Sequence, residues 1–192
     1  MCGVRVGAIK REGGWALDSG KLLKQLLDNN ERYLLPGFEK MTDGELRERV
    51  TPDANPVGWL MWHLSRVQDR AVAGMTGVEQ LWIRDGWHAK FGMGPDPEQR
   101  GNGDMSEQVA AFAAPDALML VEYYKVVRAQ TDAFLDDLDD DDSERPVPGA
   151  SPDKPVTLSQ RVPGLILEAV QHTGQVAFVR GLVQGPGWQT AT

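Results

Sequence analysis

The chain has a single cysteine, Cys2, so no intramolecular disulfide framework can form, and the usage suits a reducing cytoplasm. Cys2 lies in the Gly-rich opening "MCGVRVGAIKREGGWALDSG" and is read as an incidental terminal thiol rather than a nucleophile. That opening has no uninterrupted apolar core of the kind a signal peptide needs. No apolar run anywhere is long enough to span a bilayer, which argues against a membrane protein. Basic residues are in the minority, 20 against 28 acidic, for a net charge of −8 and a pI near 4.9. Such a surface repels phosphate backbones, so nucleic acid is excluded as the expected partner. Internal repeats and convincing alternating strands are absent too.

Helical periodicity is what the sequence does have, over 192 residues, enough for one domain with a substantial core. The stretch from Lys21 places Leu22, Leu23, Leu26, Leu27, Leu34 and Leu35 at helical spacing, and Pro36 ends or kinks it. Thr42 with Glu45 three residues on is a capping-box pattern for a short helix. A second long helix opens at Asn55 and Pro56 and stops around Gly74 to Gly77. Pro115 and Asp116 open a third, and Thr157 or Ser159 caps a fourth that Gly185 ends. Between the second and third, residues 78–107 are rich in Gly, Pro and Asp but hold Trp82, Trp87 and Phe91. They predict a long connection with short helical turns and its aromatics packed down. The acidic, Pro-rich segment before the last helix reads as a solvated crossover. The expected fold is therefore all-α, a four-helix bundle over residues 21–185. An irregular extension (1–20) precedes it, and a tail (186–192) follows.

Only three histidines occur, and two lie on apolar helical stripes. His63 shares a face with Leu60 and Val67, while Glu168 and His172 share one with Leu165, Gln175 and Val179. Two imidazoles and a carboxylate from two helices can hold one metal ion and leave a coordination position open. Zinc is the first expectation, and the same donors suit iron, nickel or manganese. The competing reading is a core histidine and an ordinary i, i+4 pair. Gln175, one turn beyond His172, is a candidate to orient Glu168 or a bound water from behind the ligands. His88 reads as a loop residue, Arg180 as a solvated partner of a helix C-terminus.

The segments "LLDNNERYLL", "NPVGWLMWHLSRVQDR", "LWIRDGWHAKFGMG" and "EAVQHTGQVAFVRGL" together resemble the DinB superfamily of metal-binding four-helix bundles. The last is similar to that family's closing H-x-x-x-H-x-G-Q signature. Its first position is Glu168 here, where many members have histidine, and the mycothiol-dependent maleylpyruvate isomerase branch also has glutamate. The resemblance implies a metal held by His63, Glu168 and His172. It also implies thiol S-transferase or isomerase chemistry, with a low-molecular-weight thiol such as mycothiol as co-substrate and a small electrophile as substrate. A metal-dependent hydrolase and a non-catalytic metal- or ligand-binding stress protein are the alternatives, and a homodimer is allowed.

Overall fold

The computed structural model describes residues 18–138, 140–151 and 153–190. Cys2 and most of the N-terminal extension lie outside these residues. Helix α1 (Ser19–Leu34) starts where the Asp18 carboxylate accepts from the Lys21 N–H at 2.9 Å, so it takes in two residues assigned above to the extension. Helix α2 (Asp43–Arg47) carries the expected capping box: Thr42 N–H donates to Glu45 at 2.7 Å, and Glu45 N–H donates back at 3.3 Å. Helix α3 (Val57–Thr76) follows Pro56 and closes on Gly77, whose N–H still reaches the Ala73 carbonyl and whose positive φ of 77° turns the chain out of the helix. Three short helices follow, α4 (Leu81–Arg84), α5 (Trp87–Lys90) and α6 (Ser106–Ala111). Helix α7 (Ala117–Asp136) is capped by Asp116, which accepts from Met119 N–H at 2.8 Å. Helix α8 (Leu158–Gln184) starts at Thr157 and ends at Gly185.

The four long helices form a square. Both α1 and α3 pack against α7 and α8, which puts α1 diagonal to α3 and α7 diagonal to α8. Among the described residues there is no strand, only isolated bridges such as Pro146 with Thr157. No helix among them is long and apolar enough to cross a membrane.

Helix α3 is the centre of the fold. Every residue from Val57 to Arg66 is buried, because the bundle covers one side and the α3–α7 connection covers another. That connection is tied down by its own aromatics. Leu81, Trp82, Trp87 and Phe91 are each no more than 5% exposed, and Trp82 and Phe91 pack against Tyr123 of α7. Burial of such a side chain contributes about 1.5–3 kcal/mol. Doubling the length of a loop costs only about 0.6 kcal/mol, so four anchors readily hold this segment against the bundle.

Helix α8 buries one stripe, Leu158, Val162, Leu165, Ala169, Thr173, Val176 and Arg180. Arg180 corrects its sequence reading. It is 1% exposed, stacks on Trp188 at 4.2 Å and donates to the Leu34 carbonyl. Burial lowers its pKa to about 10, and the tail residue Trp188 covers it instead of solvent.

Candidate metal centre

The seam between α3 and α8 brings His63, Glu168 and His172 together, with one donor atom from each lying within 4.8 Å of the others. On α8, Glu168 and His172 sit one step round from the buried stripe, at its edge. The His172 side chain is 15% exposed and that of Glu168 45%. His63, within the buried stretch Val57–Arg66 of α3, is 5% exposed. The centre is therefore closed by α3 and open along α8.

Each imidazole has its Nδ1 occupied. His63 Nδ1 meets the backbone carbonyl of Arg100. A carbonyl can only accept, so Nδ1 carries the proton and Nε2 keeps its lone pair. His172 Nδ1 donates to the Gln175 side-chain oxygen at 2.8 Å. Its Nε2 stands 3.1 Å from a Glu168 carboxylate oxygen. That contact is a hydrogen bond when Nε2 carries the proton, and the same two atoms can face a cation instead. Gln175 thus orients His172, and no hydrogen bond joins it to Glu168. Burial pulls the His63 pKa below its ordinary value, opposed by the Arg100 carbonyl and reinforced by the neighbouring His172.

Rings fix the rest of the geometry. Trp59 lies parallel to His63 at 4.7 Å, and the two histidines meet edge to face at 4.5 Å. Asn30 of α1 donates to the Ala169 carbonyl at 3.2 Å and to the Thr173 hydroxyl at 2.8 Å, which fixes the turn of α8 that carries His172.

The donor set fits a divalent ion. Metal–ligand distances of about 2.0–2.2 Å need donors that converge as these do, and both Nδ1 atoms are engaged as ligating histidines require. Three protein donors are one fewer than a closed structural zinc site has. Beside Glu168 opens a cleft of about 750 Å³, walled by Val67 and Arg70 of α3, Leu165 of α8, and Pro97 and Arg100 of the connection. That is the size of a small-molecule site.

The DinB superfamily profile matches residues 26–176. The chain belongs to the DinB superfamily. A solved structure described as a conserved protein from Enterococcus faecalis is similar, at 27% identity and a TM-score of 0.76. The match covers 88% of this chain and 99% of that one. No curated protein matches. Family and geometry together support divalent-metal binding in a helical fold.

His88 takes no part in this DinB centre; its Nδ1 faces the Met93 carbonyl at 3.4 Å and its ring packs near Trp82. Residue-type reasoning missed the Arg100 carbonyl entirely. A backbone oxygen leaves no mark in a sequence, and the only trace here is the "RGNG" turn at residues 100–103.

Proposed function

We propose that this DinB-superfamily chain is a metal-dependent enzyme of the thiol S-transferase or isomerase type. It would join or pass a low-molecular-weight thiol to a small electrophile. The observation that carries the reading is the double position of Glu168, at once a donor of the centre and a wall of the 750 Å³ cleft. A ligand in the cleft would lie beside Glu168.

When bound, a divalent ion at such a site lowers the pKa of a thiol that reaches it, supplying thiolate near neutral pH. His63, Glu168 and His172 would hold the ion, and Gln175 and the Arg100 carbonyl keep both imidazoles turned toward it. Val67 and Leu165 give the cleft beside Glu168 an apolar wall, and Arg70 and Arg100 give it a charged one. Cys2 is read as an incidental terminal thiol, so the nucleophile is assigned to a thiol co-substrate. Mycothiol is the first thiol to test, since Glu168 resembles the mycothiol-dependent branch and the "LWIRDGWHAKFG" segment resembles the loop of many actinobacterial members.

The test is turnover. Metal-loaded protein is assayed with mycothiol, bacillithiol and glutathione against a set of electrophiles, including a chlorodinitrobenzene and an epoxide. The reading expects thiol consumption that His63→Ala abolishes. No turnover across the panel, with metal shown to be bound, would move the assignment to a non-catalytic metal- or ligand-binding protein.

A further inference from the structure

Residues 97–101 run along α3 in register with it. Arg66 donates from Nε to the Gln99 carbonyl at 3.0 Å and from a terminal nitrogen to the Pro97 carbonyl at 3.1 Å. One turn back along the helix, His63 holds the Arg100 carbonyl. A further turn back, Gly101 rests on Trp59. A Cβ added at Gly101 would come within 2.4 Å of the Trp59 ring and 3.0 Å of the Trp62 ring. Three successive residues of the strap thus lie over three successive positions on one face of α3.

The anchor of this arrangement is a charged pair with no exposure at all. Both the Arg66 and Asp69 side chains are 0% exposed, 3.3 Å apart. Asp69 accepts from the Leu81 and Trp82 N–H groups and from the Tyr123 hydroxyl, each at 2.9 Å. Arg66 also donates to Gln80 at 2.9 Å and lies over the Trp82 ring at 4.6 Å. Asp69 therefore holds the start of the α3–α7 connection, and Arg66 holds both Gln80 near its start and the stretch that returns past His63. Buried ion pairs bring little net stability compared with apolar packing, and fixing a register is their best-attested use. The object placed by this register is the Arg100 carbonyl.

We propose that Arg66 and Gly101 are positioning residues of the metal centre. They seat the 97–101 strap so that the Arg100 carbonyl holds His63 as the Nδ1–H tautomer, with Nε2 turned to Glu168 and His172. Neither residue touches the donor atoms; both act through the Arg100 carbonyl. This rests on the metal reading given above.

The decisive comparison is Gly101→Ala with Gly103→Ala. Both glycines have positive φ, 87° and 82°, so alanine is strained at either. Only at Gly101 does the added carbon meet the tryptophans; at Gly103 it meets open space. In metal-free protein, nitrogen NMR should show His63 as a single Nδ1–H tautomer in wild type and Gly103→Ala, and as a mixture in Gly101→Ala. Zinc affinity, measured by chelator competition, should fall about 10–100-fold in Gly101→Ala and stay within about twofold in Gly103→Ala.

Equal zinc affinity and an unchanged tautomer in a folded Gly101→Ala protein would overturn the proposal, as would equal losses in both variants. Should Gly101→Ala fail to fold, Arg66→Lys takes its place. Lysine keeps the charge beside Asp69 but loses the rigid fork that spans two carbonyls, so the same loss of tautomer and affinity is expected and wild-type values overturn the idea. Wild-type protein that takes up no zinc would sink the metal reading itself. The tautomer comparison would still decide whether the strap governs His63.

Discussion

His63 and His172 face the same centre, yet they are held in opposite ways. His63 sits in a fully buried stretch of α3, under a strap fixed by Arg66 and stacked on Trp59. His172 sits at the rim and takes both its hydrogen-bond partners, Glu168 and Gln175, from its own helix within four residues. The hydrogen bonds of one histidine come from a distant segment, and those of the other come from its own helix. A metal centre built this way has a rigid wall and an adjustable one, and the cleft opens on the adjustable side, next to Glu168.

The largest effects should come from removing either histidine, and they should differ in kind. Both His63→Ala and His172→Ala should lose metal by orders of magnitude, measured as metal content by mass spectrometry. His63→Ala should also destabilise the metal-free protein by about 1–3 kcal/mol, because it leaves the Arg100 carbonyl without a partner in a buried place. His172→Ala, at the rim, should stay within about 0.5 kcal/mol of wild type. Denaturant unfolding of the two metal-free variants checks this, and equal losses would erase the contrast between the walls. If both variants kept wild-type metal content, the assignment of the centre would fall.

Next in size is the charge beneath the strap. Arg66→Met leaves Asp69 buried and unpaired, at a cost of about 3–5 kcal/mol. Arg70→Ala, four residues on, breaks only the partly exposed pair with Glu98, worth about 0–1 kcal/mol. Thermal unfolding of the pair of variants would show whether rigidity of the α3 wall comes from this one buried cation.

On the α8 side the effects should be smaller and confined to metal. Gln175→Ala frees His172 Nδ1 and should weaken metal binding by about tenfold with no change in melting of the metal-free protein. Glu168→His should retain the ion, since an imidazole can replace a carboxylate in such a donor set. Smallest of all is Cys2→Ser, expected to leave thiol-dependent turnover unchanged.

The same division explains what the sequence reveals. The long helices are legible because their caps and apolar spacing are local: Thr42 with Glu45, Asp116 with Met119, Gly77 after Thr76. The three residues of the candidate centre stand out because histidine is rare in this chain and His63 falls on an apolar stripe, whereas Glu168 and His172 lie at the edge of theirs. Arg66 and Asp69 are hidden in "LSRVQDR", which reads as an ordinary solvated helix face until residues 78–104 are known to cover it. The strap itself has no periodicity, and it contributes a main-chain oxygen. Arg180 was misjudged for a related reason: its cover, Trp188, comes from a tail with no pattern.

The seam that joins α3 to α8 also bears on timing during synthesis. His63 emerges early, but its partners lie on the last long helix, which ends at Gln184. Until that helix leaves the ribosome and docks, His63 has neither Glu168 nor His172 beside it. A ligand that binds only the folded form stabilises it by mass action. Such help would arrive after the bundle has closed, so an ion held there would seal finished molecules and not nucleate growing ones.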